Sequence, residues 1–294
     1  MSTVPPDLRR SALPVRRRLA DRASTALIGL ALVAAVVPLG LIVSYVVAKG
    51  GAVVSLEFLT AGIQSSPRRS GGGMGPAIVG TLLITGAASL MAIPLGVLGA
   101  VYLNEYGRQR PLARLIRTMA DVMTGVPSIV MGLFVYVTWV VTVKAQTGFA
   151  AALALACLML PVVIRSTEEI LRLVPDELRQ ASLALGARRW RTTLAVVLPA
   201  ALPGITSGAL LAVARAAGET APIIVTAGVA NTVNWNLFAG GNTALPAQIY
   251  RNASSVFTTA QDRAWGAALT LVAIVLAFTV IARLISNRFA VRQG

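Results

Sequence analysis

The chain has 294 residues, of which 56% are hydrophobic and 13% are charged, roughly half the charged fraction of a soluble domain. One cysteine and no histidine exclude a disulfide-stapled secreted domain and any chemistry that uses histidine as acid, base or metal ligand. The net charge of +15 would favour a nucleic-acid partner in a soluble protein, but here the cations flank long apolar runs. The composition predicts a polytopic membrane protein that binds no nucleic acid.

Six apolar runs approach or exceed the ~20 residues that a helix needs to cross a membrane. In chain order they are Ala23–Ala48, Ala77–Leu103, Val122–Val143, Phe149–Ile164, Ile205–Ala227 and Ala264–Ala282. The fourth run is short and is closed by Pro161 and Arg165, and the fifth is interrupted by Arg215 and Glu219. The sequence therefore predicts an all-α fold with six transmembrane helices.

Arginine and lysine are distributed unequally between the two sides of these predicted spans. Nineteen of the 26 lie in the tails and loops of one side and six on the other. Because cytoplasmic loops collect basic residues, we expect both termini to be cytoplasmic. The predicted organisation is a basic tail, a first transmembrane helix, an extracytoplasmic loop, a membrane core with a large cytoplasmic loop at 165–201, and a second tail, at residues 1–22, 23–48, 49–75, 76–283 and 284–294.

The large loop, Arg165–Ala201, has more pattern than a simple connector. Between Glu168 and Arg179, charged residues alternate with apolar ones, which is typical of a helix with one apolar and one wet face. A small, uncharged segment follows, in which Gly186 is placed to end a short helix. The pattern alone is compatible with a helix that lies on anionic lipid and with a helix that docks a soluble partner.

The spacing in this loop resembles the E-A-A-x3-G-x9-I-x-L-P loop through which importer permeases of the ATP-binding-cassette family contact their ATPase. The matching positions, including the intervening Leu183, are Gln180, Ala181, Ser182, Leu183, Gly186, Val196, Leu198 and Pro199. The glycine, first alanine, leucine and proline are retained, whereas the first acid and the second alanine are replaced. The resemblance implies an ATPase-coupling loop without a salt bridge from its first position.

Four further strings resemble the PstA family, one of the two permease subunits of phosphate-specific importers. They are Gly73–Thr81, Tyr102–Gly107, Gly125–Val130 and Arg215–Pro222. The resemblance implies a type I importer permease of MetI-like architecture in the bacterial inner membrane. It also implies three partners: a second permease (PstC-like), an ATPase dimer (PstB-like) and an extracytoplasmic phosphate-binding protein (PstS-like).

Such a permease supplies a path through the bilayer and is not an enzyme. No G-x-x-x-x-G-K-[ST] string occurs in the chain, so we predict no cofactor here, with ATP and Mg²⁺ bound by the ATPase partner. Two alternatives remain at this stage. One is a permease of the same class for another oxyanion, such as molybdate or sulfate. The other is a secondary transporter, which would more often show broken helices in matching positions of two halves.

Arg215 is the one cation well inside a predicted span, and Glu219 follows at i+4, so the two side chains can pair on a helix. Guanidinium groups match phosphate oxygens two at a time, which makes the pair a candidate for the substrate path. A structural ion pair between spans is the alternative. Gly218 and Pro222 flank the pair and are expected to weaken the helix there.

Arg165 is the third candidate for the substrate path. Its position at the predicted end of the fourth span favours a side chain that anchors the helix at the membrane surface. The resemblance to the PstA family, by contrast, places a transport-linked arginine at this position. Both interpretations stay open from the sequence, as does the reading of Asp121 as a helix N-terminal charge or partner contact.

Overall fold

The computed structural model describes residues 15–107 and 110–290, and this part of the chain is almost entirely helical. It divides after Ala48 into two compact units. Residues 1–14 of the predicted basic tail lie outside the described residues, as do residues 291–294 of the second tail. The all-α fold class is confirmed for the described part.

The first unit is formed by helix α1, which runs from Val15 to Gly51 and crosses the unit boundary near its end. It replaces the predicted span Ala23–Ala48 with a longer helix. No residue of its most apolar stretch is buried within the chain. A helix with an apolar stretch of this length is typical of a membrane span.

The second unit contains twelve further helices and three π-helical turns within its described residues. The helices are α2 (Leu56–Thr60), α3 (Gly75–Val101), α4 (Pro111–Gly125), α5 (Ser128–Val135), α6 (Val141–Val143), α7 (Gly148–Leu173), α8 (Asp176–Ala184), α9 (Arg189–Thr192), α10 (Leu198–Ala217), α11 (Ala221–Thr226), α12 (Leu245–Ala253) and α13 (Thr258–Ala290). The π turns are Tyr102–Tyr106, Tyr136–Val140 and Thr193–Val197, and each continues one helix or joins two.

The centre of the second unit is the packing of α3 against α7, and α10 contacts both of these helices. Small side chains let these helices approach closely, which is the usual way for membrane helices to gain van der Waals contact. At Gly96 a Cβ atom would lie 2.6 Å from a methyl carbon of Val163. The close contact between α3 and α7 therefore requires glycine at this position.

Among the residues that the structure describes, five helices are long and apolar enough to cross a membrane, and the bent pair of α4 and α5 makes a sixth if it is counted as one span. The count of six agrees with the prediction, but the third span is built differently from the predicted Val122–Val143. Here α4 ends at Gly125 and α5 begins at Ser128, with an angle of 108° between α4 and the helix that follows. Val126 precedes Pro127, and a residue before proline is pushed out of the helical region; its ψ is 129°.

The fourth span is longer than predicted, because α7 continues nine residues beyond Ile164 to Leu173. Pro161 lies inside the helix and is buried there, so packing offsets the hydrogen bond that proline removes. The predicted amphipathic helix Glu168–Arg179 is correspondingly wrong. Its first half is the end of α7, which stops at Leu173 because Val174 precedes Pro175 and is extended. Helix α8 then begins at Asp176, directly after that proline.

The fifth span is displaced toward the N-terminus relative to the predicted Ile205–Ala227. It runs over Arg189–Ala217 through a π turn and stops at Gly218, and α11 is a separate short helix after the break. The expectation that Gly218 and Pro222 weaken the helix is confirmed, since one caps α10 and the other stands at the start of α11.

Candidate functional site: an arginine-lined cleft and an exposed helix

A cleft of about 260 Å³ lies where the break between α4 and α5 faces α7 and the end of α10. Pro127 comes from the break, Thr124 and Ser128 come from the helix ends on either side of it, and Val162 comes from α7. The remaining lining residues are Met123, Val126, Leu158, Met159, Ala212, Arg215, Ala216 and Glu219. An apolar wall with a few polar groups and one cation is the general composition of a small-ligand site.

Arg215 and Glu219 both line this cleft. Arg215 lies in the last turn of α10, whereas Glu219 follows Gly218, beyond the end of the helix. Their nearest charged atoms, Nε and Oε1, are 3.9 Å apart, and the arginine side chain is 69% exposed against 22% for the glutamate. The pair is therefore long, open and local to one chain segment, so it joins no two spans of this chain.

Arg165 does not line the cleft with Arg215. Its guanidinium forms an ion pair with the carboxylate of Asp121 on α4, and both side chains are partly exposed. Leu158, Val162 and Arg165 fall on one face of α7 at i, i+4 and i+7, so Arg165 lies on the same face of α7 as two cleft residues. The reading of Asp121 as a helix N-terminal charge is wrong, because the residue lies in the last part of α4.

The predicted docking segment is a separate, exposed helix, α8. Gly186 ends it as predicted, with a φ of +83° and open space where a side chain would lie. The Gly186 N–H donates to the carbonyl of Leu183 and that of Ala187 to the carbonyl of Ser182, which satisfies carbonyls at the helix end.

Most side chains after the start of α8 face solvent in this chain, apart from the buried Arg179 and the half-buried Ser182. Gln180 and Ala181 are exposed, Leu183 is 42% exposed and Leu185 is 90% exposed. Leu198 and Pro199 begin α10, one half-buried and the other exposed. The exposed surface of residues 177–186 is hereafter called the α8 surface.

Arg179, in the same helix, is buried, whereas the alternating pattern of the sequence places it on the wet face of a helix. It pairs with Glu105, which stands 74 residues earlier in the chain. In the sequence, Glu105 is marked only by its place in the family-like string Tyr102–Gly107. No local pattern could have joined it to Arg179.

Within the described ranges, no group of three or more His, Cys, Asp or Glu side chains is arranged to hold a metal ion.

Comparison with known proteins places this geometry in a family. Residues 92–293 match the family described as binding-protein-dependent transport system inner membrane component. The phosphate transport system permease protein PstA of Mycobacterium leprae is 45% identical over 266 residues, which is 90% of this chain and 87% of that protein.

Solved structures agree on the fold. A bacterial alginate ABC transporter bound to its periplasmic protein has a chain that matches with a TM-score of 0.65 at 14% identity, over 93% of this chain and 96% of its own. The inward-facing methionine transporter MetNI matches with a TM-score of 0.59 at 21% identity, over 74% of this chain and 94% of its own. These matches confirm the predicted MetI-like fold. The chain is a member of the family of binding-protein-dependent transport system inner membrane components.

Proposed function

We propose that this chain is the permease subunit of an ATP-driven importer of inorganic phosphate in the bacterial inner membrane. The observation that carries the proposal is the extent of the likeness to the M. leprae protein named PstA, which covers nine-tenths of this chain at 45% identity. The chain contributes half of the translocation path and performs no bond chemistry of its own. The same likeness favours phosphate over another oxyanion as the transported ion.

The cleft supports this proposal because it offers an anion two kinds of donor. The first is the exposed guanidinium of Arg215, whose fork fits two phosphate oxygens. The second is the start of α5 at Ser128, since the first N–H groups of a helix have no acceptor inside the helix. Glu219 lies close enough to balance the arginine charge when no anion is present, and this offsets part of the cost of a charge inside the membrane.

Arg165 is the third residue that we assign to the phosphate path. Its partner Asp121 holds the guanidinium on the α7 face that continues from the cleft, where it is available to an anion that leaves Arg215. Of the two interpretations of Arg165, the pairing with a carboxylate of α4 favours this one over a simple surface anchor, because an anchoring side chain needs only lipid headgroups and water.

The α8 surface supports docking to the ATPase dimer rather than adsorption to lipid. A helix that binds anionic membrane carries lysine and arginine on its polar face. The first turn of α8 carries Asp176 and Glu177 instead, and its arginine, Arg179, points inward and is paired. An acidic helix with exposed Leu183 and Leu185 fits a protein partner.

ATP and Mg²⁺ bind to that ATPase partner. A second permease and a phosphate-binding protein complete the importer.

The direct test is transport by the reconstituted complex. Proteoliposomes that contain this chain with its second permease, its ATPase and its binding protein are expected to accumulate labelled phosphate in an ATP-dependent manner. Excess unlabelled sulfate or molybdate should not reduce this uptake. Competition by either anion with equal strength would identify a permease for another oxyanion, and uptake without ATP would identify a secondary transporter.

The orientation in the membrane follows from the distribution of basic residues, and it predicts a labelling pattern. In a variant with Cys157 replaced by alanine, cysteines at Ser70 and Thr232 are expected to react with an impermeant maleimide from outside the cell. Cysteines at Glu177 and Leu185 should react only after permeabilisation. All four positions are exposed in the structure, so access is decided by the membrane. The opposite pattern would overturn both the orientation and the docking assignment.

A further inference from the structure

Helix α8 is held to the rest of the chain by one buried arginine and by a hydrogen bond between the hydroxyls of Ser182 and Thr192, which are 2.9 Å apart. Of its nine residues, all described, only Arg179 is buried. Its guanidinium donates to Oε1 of Glu105 at 2.9 Å, to the carbonyls of Val174 and Leu171 at 2.7 and 2.9 Å, and to Asp176 at 3.0 Å. Its Nε also donates to the carboxylate of Glu105 at 3.3 Å, so all three nitrogens of the guanidinium have acceptors.

Glu105 lies on the π turn Tyr102–Tyr106 at the end of α3, and its side chain is 11% exposed. It also accepts a hydrogen bond from the side-chain amide of Asn104 at 2.7 Å. The carboxylate therefore connects α8 to a turn whose hydrogen-bond register already departs from that of a regular helix. Such π turns are frequent at functional sites.

A second arginine, on α4, also contacts the π turn Tyr102–Tyr106. Arg117 of α4 donates through Nη2 to the carbonyl of Leu103 at 2.8 Å and through Nε to Glu168 of α7 at 2.7 Å. Glu168 is 1% exposed. The turn is thus joined to α8 through Glu105 and to α4 through the backbone of Leu103.

Helix α4 continues from Arg117 directly to the cleft. Asp121, one turn later, pairs with Arg165, and Met123 and Thr124 line the cleft itself. The α8 surface is therefore connected to the cleft without a gap, first through the hydrogen bonds of the two arginines and then along helix α4. Charged hydrogen bonds of this kind are short and directional, and removal of one partner of a buried pair leaves the other uncompensated.

We infer that Arg179 and Glu105 are positioning residues that transmit movement of α8 to the cleft through the π turn Tyr102–Tyr106 and Arg117. The inference rests on the proposed function, since it supposes that the ATPase moves α8. It assigns a role to a pair that contacts neither the transported ion nor, because Arg179 points inward, the docked partner.

The test measures phosphate transported per ATP hydrolysed, in reconstituted complexes adjusted to equal amounts of assembled importer. Glu105→Gln keeps the shape of the side chain and removes its charge, and Arg179→Lys keeps the charge and removes the fork. Each is expected to lower the ratio by roughly fivefold or more, the lower end of measured coupling between sites, while the ATPase stays bound. Glu105→Asp should recover part of the ratio.

The double variant Glu105→Gln with Arg179→Lys should lower the ratio no further than the stronger single variant, because both act through one contact. Arg263→Gln is the matched control. Arg263 is also buried, and it donates to the carbonyls of Arg69, Gly71 and Pro67 far from α8. Its loss should reduce the yield of complex and leave the ratio unchanged.

An unchanged ratio in Glu105→Gln would overturn the inference, as would additive losses in the double variant. If Arg179→Lys does not assemble, the two Glu105 variants decide the question alone. Failure of the proposed function would look different, since the complex with the unmodified chain would then transport no phosphate at all.

Discussion

Arg215→Gln is expected to abolish phosphate uptake while the chain still inserts and assembles. The guanidinium is 69% exposed and lines the cleft, so its loss removes a donor to the ion without opening a cavity in the packed core. A hydrogen bond to a charged group contributes about 1.5–3 kcal/mol, and a guanidinium that offers two such bonds to one phosphate loses both, which predicts a fall in uptake of roughly 100-fold or more. Uptake of labelled phosphate, beside a blot for the assembled subunits, measures the effect.

Two further variants make this prediction specific. Arg215→Lys keeps the charge but cannot offer two parallel donors, so we expect it to recover little. Glu219→Gln is the matched control for a structural role, because it breaks the same pair from the other side. If the pair only stabilised the protein, both variants would lower assembly alike. Wild-type uptake by Arg215→Gln would remove Arg215 from the phosphate path.

Gly186→Leu is expected to weaken binding of the ATPase by about tenfold, which corresponds to about 1.4 kcal/mol. Gly186 follows the end of α8 with a positive φ, and nothing in the chain lies within 4 Å of the position a Cβ would take. The Cβ atom of a leucine therefore contacts no atom of its own subunit, and the side chain extends from the α8 surface. The measurement is retention of the ATPase on the detergent-purified complex.

Backbone strain is the competing cause, since a left-handed conformation costs a residue other than glycine about 1–2 kcal/mol. Gly71→Leu controls for it. Gly71 also has a positive φ, of 85°, and also faces open space, but it lies in the loop before α3. It should bear the same strain and keep the ATPase. Equal loss of the ATPase from both variants, or from neither, would contradict docking at Gly186.

Much of this fold follows from local signals in the sequence. The count of spans depends on apolar length, and the ends of α8 and α10 depend on Gly186 and Gly218, whose effect on the backbone is local. The bend at Pro127 was missed because Val126 and its neighbours are as apolar as a continuous span. Apolar residues indicate burial or contact with lipid, but they do not indicate where a helix changes direction.

In the candidate site, too, some contacts follow from local sequence and others depend on how the helices pack. Arg215 and Glu219 are four residues apart, and their proximity was predictable from helix geometry even though Glu219 lies beyond the helix end. The pairs Arg179–Glu105 and Arg117–Glu168 join residues 74 and 51 positions apart. They depend on the packing of α3, α4, α7 and α8, which no periodicity in a single segment reveals.

The bend at Pro127 also has a consequence for the depth of the cleft. From Ser128 to Val143 the chain has 16 residues, which span about 24 Å at 1.5 Å per residue, whereas the hydrocarbon layer is about 30 Å thick. If Lys144 marks one membrane surface, the bend lies inside the opposite leaflet. Irregular backbone survives at that depth only against protein or a water-filled cavity. Gly125 is exposed in this chain and is not among the residues that line the cleft, so the bilayer itself disfavours a solitary subunit.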